Sequence, residues 1–260
     1  MVTTFMKNKP LIIIVIITIL GAGFLFLPML SILLYSTFSI ETMLSDYVLK
    51  AIVISLESTL ISLAATLILG IPISWLMARY SFKGKGILHI VFRLPTVLPP
   101  SVAGVLLLLC FGRAGFIGKY LDLYGINISF SFIAVVMAQT FIILPQFITA
   151  TTHIFKGVDK TLEDAAMDLG LKPYQVFYKL TLPMCKKPIV TQSILCWARA
   201  LSEFGATIIF AGNLTGKTQT LPLAIYMALE KDLNLSVSIS MVLVIISLAV
   251  ILGVKKYEMY

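Results

Sequence analysis

Arg199 and Glu203 stand four residues apart in a stretch, 189–211, that carries no other charge. An ionisable side chain is expensive to place in a bilayer and marks a functional position by default. The i,i+4 spacing puts both on one helical face, which leaves two chemistries open. Either Arg199 offers positive potential to a passing anion while Glu203 tempers its grip, or the two form an internal ion pair that fixes a bundle. The second reading, or a gate-forming role, is preferred, because a transit site must hold its ion weakly. Another candidate runs Ala211-Gly212-Asn213-Leu214-Thr215-Gly216-Lys217-Thr218, a relaxed nucleotide-phosphate loop with Ala at the first Gly position. That mechanism needs a strand before the loop, a helix after it and an acidic magnesium partner. The stretch instead follows an apolar run, so the match is read as coincidental and the chain is expected to bind no ATP itself. Cys110, Cys185 and Cys196 show no CxxC spacing, and His89 and His153 stand alone. Neither a disulfide framework nor a metal centre is indicated.

The elements that position these residues follow from composition. Of 260 residues, 59% are apolar and only 12% charged, with a mean hydropathy of +1.00. A water-soluble globule averages about 25% charged residues. This chain cannot cover a water-facing surface, which excludes disorder, collagen-like repeats and an ordinary soluble enzyme. It reads as an all-α integral membrane protein of one domain, 1–260. Apolar runs of about 20 residues predict six spans, near 11–35, 52–77, 94–112, 131–152, 189–211 and 233–254. The first is too long for a signal-peptide core and has no clear small-residue cleavage site, so it is read as a retained span. Glu57 falls near the start of the second and is read as interfacial. The third opens with Pro95, Pro99 and Pro100, which cannot begin a regular helix because each lacks an N–H and biases its predecessor to extended backbone. Pro99 and Pro100, with Pro72 and Pro145, are candidate hinges along a pathway.

Six spans put both termini on one side. That side carries fourteen Lys and Arg against five on the other. The bias places the termini in the cytoplasm of a multi-pass plasma-membrane protein. Acidic residues split evenly, so the net charge of +8 reflects topology and implies no nucleic-acid partner.

One cytoplasmic loop, 156–187, is too long and patterned for a linker. Thr161 with Glu163-Asp164 reads as a helix-capping box. Leu162, Ala165, Ala166 and Leu169 share one helical face. Gly170 sits where a left-handed residue ends a helix. Pro173 suits the first turn of a second helix carrying Val176, Phe177 and Leu180. Such a hairpin lies on lipid headgroups or docks a protein. The two alanines favour docking, since small side chains bury little area in lipid but allow close approach.

Asp164-Ala165-Ala166, Gly170, Leu180, Leu182 and Pro183 fall at the offsets of the EAA loop and resemble that motif of ABC importer permeases, with Asp in place of Glu. Leu94–Gly104, Trp197–Thr207 and Gly212–Tyr226 resemble segments of the molybdate and sulfate permeases, closest to the molybdate/tungstate branch. The resemblance spans roughly 50–250. It implies a type I ABC importer permease fold and a homodimer with the pathway along its two-fold interface. It implies a cytoplasmic ABC ATPase dimer that holds the ATP and Mg, and an external molybdate/tungstate-binding protein. On this reading Glu163, Asp164, Ala165, Ala166, Leu169, Gly170, Leu182 and Pro183 form the ATPase-coupling element of a non-catalytic subunit, and Arg199, Glu203, Pro99 and Pro100 line a pathway or gate. A sulfate/thiosulfate permease is the alternative within the family. An ion-coupled secondary transporter is the alternative outside it, with only Glu203 suitably placed. A membrane-embedded enzyme would need a nucleophile–base or metal-ligand set, and no such motif is present.

Overall fold

The computed structural model describes residues 9–35 and 45–259. Lys7, one of the fourteen Lys and Arg placed on the cytoplasmic side, lies outside them. The described residues form helices and connecting turns, in the order α1 (Lys9–Tyr35), α2 (Asp46–Arg79), α3 (Lys85–Val97), α4 (Pro100–Phe111), α5 (Gly118–Asp122), α6 (Phe132–Lys156), α7 (Lys160–Asp168), α8 (Pro173–Val176), a π-turn (Phe177–Thr181), α9 (Leu182–Met184), α10 (Lys186–Leu201), α11 (Gly205–Phe210), α12 (Leu221–Leu229) and α13 (Leu233–Met259).

Among the described residues four helices, α1, α2, α6 and α13, are long and apolar enough to cross a membrane, and the bent pair α3–α4 makes a fifth if taken as one span. Two predicted spans are therefore not single helices. The stretch 94–112 is split: Leu94–Val97 ends α3, α4 starts at Pro100, and the two axes meet at 118°. The cause is the proline cluster. Leu98 and Pro99, each preceding a proline, are extended, and Pro100 takes the first turn of α4, where its missing N–H costs nothing. The stretch 189–211 is broken as well, into α10 and α11 at Ser202–Phe204. The second span starts earlier than predicted, so Glu57 lies about three turns into α2, on its exposed side. Pro72 and Pro145 sit inside α2 and α6.

The centre of the bundle is the pair α2–α6. Ser55, Thr59, Ser62, Thr66, Gly70 and Ser74 form a buried small-residue stripe along α2. Lipid gives no hydrophobic drive to helix pairing, so membrane helices associate where small side chains let backbones approach. Hydroxyls then supply polar links. Ser62 Oγ reaches Val136 O and Gln139 Oε1, each at 3.0 Å, and Ser74 Oγ donates to Ile148 O at 3.2 Å. Helix α10 joins this pair, with Trp197 Nε1 donating to Thr59 Oγ1 at 3.0 Å. Phe147, Phe155 and Phe210 fill the core between α2, α4, α6, α10 and α11. A smaller core at the start of α2 takes in α12 and α13, and Ser55 Oγ accepts from the Leu221 N–H that opens α12.

Candidate functional site

The predicted residues fall into two groups, one on the loop and one at the two helix breaks. In the loop, α7 starts before the predicted cap. Asp159, rather than Thr161, is the N-cap, its carboxylate accepting from Thr161 N at 2.9 Å. Hydrogen bonds from the Thr161 backbone and hydroxyl hold that carboxyl below the usual carboxylate range. The other end is as expected. Gly170 takes φ +89°. The Gly170 and Leu171 N–H groups donate to Met167 O (2.9 Å) and Ala166 O (3.2 Å), the paired bonds of a Schellman cap.

Between these caps the apolar face points away from the bundle. Leu169 is 87% exposed, and Leu162, Asp164, Ala165 and Gly170 are exposed with it, Ala166 being half-buried. Glu163 is the exception and corrects the expectation of a continuous outward surface. It is buried on the inner side, Oε2 lying 2.7 Å from Arg79 Nε and Oε1 accepting from the Thr181 hydroxyl at 2.5 Å. Both oxygens of this carboxylate therefore face partners of its own chain and not the outer surface. The following segment is pinned by rings. Phe177 lies 4.7 Å from Trp75 and 6.0 Å from Phe155, centroid to centroid. Leu182 is half-buried and Pro183 exposed at the turn into α10.

Of the second group, Pro100 and Arg199 line a cavity of about 340 Å³ with Pro95, Thr96, Leu98, Ile142 and Gln146, and Pro99 and Glu203 lie outside its lining. Arg199 is the charged member of that lining. Gln146 was missed in the sequence, although an amide within the largely apolar run 131–152 was its signal. Pro99, the N-cap of α4, is exposed.

Glu203 does not share a helix with Arg199, because α10 ends at Leu201. Its carboxylate, 1% exposed, accepts from Ala206 N at 2.9 Å and so caps the start of α11. Arg199 Nη2 stands 3.9 Å from its other oxygen, a loose pair with the guanidinium side open to the cavity. Glu203→Ala therefore strands a buried N–H and is expected to destabilise the purified protein by about 1–3 kcal/mol, whereas Glu203→Gln keeps an acceptor and most of the stability. Thermal unfolding in detergent separates them, and equal losses would make the charge, not the cap, the important part.

The phosphate-loop-like stretch 211–218 leaves a helix, α11, not a strand. Thr218 Oγ1 is spent accepting from Leu214 N at 2.9 Å.

The described residues thus form a bundle of apolar helices with one broken span, a cavity beside that break and an exposed amphipathic helix on one connection. Residues 70–254 match the family of binding-protein-dependent transport system inner membrane components. The chain belongs to this family.

Among relatives, it is 40% identical over 188 residues to the molybdenum transport system permease protein ModB of Escherichia coli (strain K12), covering 72% of this chain and 82% of that one. It is 37% identical over 235 residues to the probable transport system permease protein NifC of Clostridium pasteurianum, covering 89% and 82%. A chain of a bacterial alginate ABC transporter, solved in complex with an alginate-bound periplasmic protein, superposes with a TM-score of 0.79 over 97% of this chain and 94% of that one at 14% identity. At that identity the likeness speaks for the fold alone. The fold is that of type I ABC importer permeases, and the chain is a multi-pass membrane transport component.

The two groups of site residues are joined by one element. Helix α10 starts at Lys186, directly after the loop, and carries Arg199 near its far end, about 20 Å along at 1.5 Å per residue.

Proposed function

We propose that this chain is the translocation subunit of an ATP-driven importer of molybdate and tungstate. Two copies pair about a two-fold axis, both termini face the cytoplasm, and an ABC ATPase dimer docks on the α7 loop from that side. An external binding protein delivers the oxyanion. The subunit performs no chemistry, and ATP and Mg belong to the ATPase.

The observation that carries this reading is the 40% identity to a molybdenum permease over most of the chain. The geometry supports it. The cavity beside the helix breaks offers a doubly charged anion one guanidinium and the amide of Gln146, with no carboxylate in the lining. One cation, loosely paired, attracts an anion without trapping it. The exposed side chains Leu162, Ala165 and Leu169 supply a small apolar knob for a groove of the ATPase. Closure of the ATPase on nucleotide then pulls the loop, and α10 transmits the displacement toward Arg199, a two-state rocking of the bundle biased by nucleotide.

The test is ATPase activity of the reconstituted complex in liposomes with the binding protein present, adding molybdate, tungstate and sulfate in turn. Stimulation by molybdate or tungstate but not by sulfate is expected. Stimulation by sulfate alone keeps the importer and overturns the substrate. Failure to form a complex with an active ATPase overturns the importer.

A further inference from the structure

Glu163 and Asp164 are adjacent carboxylates on one short helix, and the structure gives them opposite duties. Asp164 is exposed, while the Glu163 carboxylate is buried against two other segments. Arg79, the last residue of α2, places Nε 2.7 Å from Oε2, with side-chain exposures of only 11% for Arg79 and 8% for Glu163. The same guanidinium donates from Nη2 to Val158 O at 3.1 Å, at the entry to α7. Thr181, at the end of the π-turn that leads into α10, donates to Oε1. In an ion pair this dry each charge depends on the other, Arg79 Nε having the Glu163 ion contact and no hydrogen-bond partner besides. Removing one charge strands the other, whereas replacing both by apolar side chains of similar size is often tolerated. The π-helical turn adds to the picture, since such wide turns within helices are frequent at functional positions.

We propose that Glu163 is a positioning residue, a latch by which the coupling helix α7 grips the end of α2 through Arg79 and the root of α10 through Thr181. Displacement of α7 by the ATPase is then passed to both spans instead of being absorbed by the loop. The inference rests on the coupling role given to the loop, and it removes Glu163 from the surface that touches the ATPase.

The experiment uses the complete transporter in liposomes, with Glu163→Gln, Arg79→Met, the double variant R79M/E163M and the milder Thr181→Val. Two quantities are read: ATPase retained on purification, and molybdate taken up per ATP hydrolysed. Each single charge variant is expected to lower uptake per ATP by about tenfold with the ATPase retained, because a stranded charge unseats the loop. The double variant recovers most of the ratio, and Thr181→Val, which strands no charge, loses less than either single variant.

Three outcomes overturn the latch. The double variant equals the product of the singles, or Glu163→Gln releases the ATPase while Arg79→Met does not, or neither changes the ratio. If the parent chain holds no ATPase, the coupling reading itself fails, and the latch is judged on a spin label at Leu169. Restriction in the parent and the double variant with mobility in both singles supports it; equal mobility in all four overturns it.

Discussion

Gly170→Val is expected to abolish most oxyanion uptake while leaving insertion, dimerisation and basal ATP hydrolysis in place. Gly170 sits at φ +89° with open space where a side chain would go, nothing lying within 4 Å of the position a Cβ would take. The cost of substitution is therefore backbone, not collision. A left-handed residue costs an L-amino acid about 1–2 kcal/mol, and most for a β-branched one. That shifts the balance of the last turn of α7, and with it Leu169, about five- to thirty-fold away from its seat. The series Gly170→Asn, Ala and Val tells conformational strain from contact with the partner. Strain ranks Asn as mildest, since Asn tolerates this region, followed by Ala and then Val. A clash with the ATPase surface ranks by size instead, with Ala mildest. Uptake per ATP in liposomes reads the order, and normal uptake by a correctly assembled valine variant sinks the coupling role of this loop.

The same loop shows where sequence reasoning reaches and where it stops. Gly170 and Pro173 were legible because their constraints are local: a left-handed cap needs glycine, and a first helical turn accepts proline. The proline cluster 95–100 was legible as an irregular entry for the same reason. Its consequence, a bend of 118° that hands Leu94–Val97 to the preceding helix, was not, because composition cannot say on which side of a break apolar residues will fall. Local pattern also misplaced the cap, Asp159 satisfying the first amides before Thr161 is reached. Glu163 was misread for a deeper reason. A carboxylate on an amphipathic helix reads as solvent-facing until its partner is known, and Arg79 comes from another helix far away in the chain. The break at Ser202–Phe204 was hidden too. The run 189–211 is apolar enough for one continuous span, and only the packing of Gly205 against Pro100 and the Glu203 cap on Ala206 divide it. The polar stripe along α2 was legible in principle, as Ser, Thr and Gly repeating every three to four residues within an apolar helix.

The division of the stretch 189–211 also predicts a large stability effect. Gly104, on α4, packs on α11 so closely that a Cβ would lie 2.9 Å from Ala206 O, 2.9 Å from Ile209 Cβ and 3.0 Å from Ala206 Cα. Two of these three neighbours are backbone atoms of a short helix fixed by its own cap, so they cannot swing aside as a side-chain tip would. Gly104→Ala is expected to lose about 1–3 kcal/mol, the usual cost of forcing a methyl into a filled interface. Gly104→Leu should leave no folded protein with α4 and α11 in contact. The control lies in α1, where Gly21 and Gly23 meet nothing within 4 Å. There alanine gains about 0.5–1 kcal/mol of helix propensity at no steric cost. Monodisperse yield and thermal unfolding in detergent should thus fall steeply at Gly104 and hold or rise at Gly21. A Gly104→Leu variant as stable as the parent would mean that α4 and α11 stand further apart than these distances. The cavity beside Pro100 and Arg199 would then be larger than about 340 Å³.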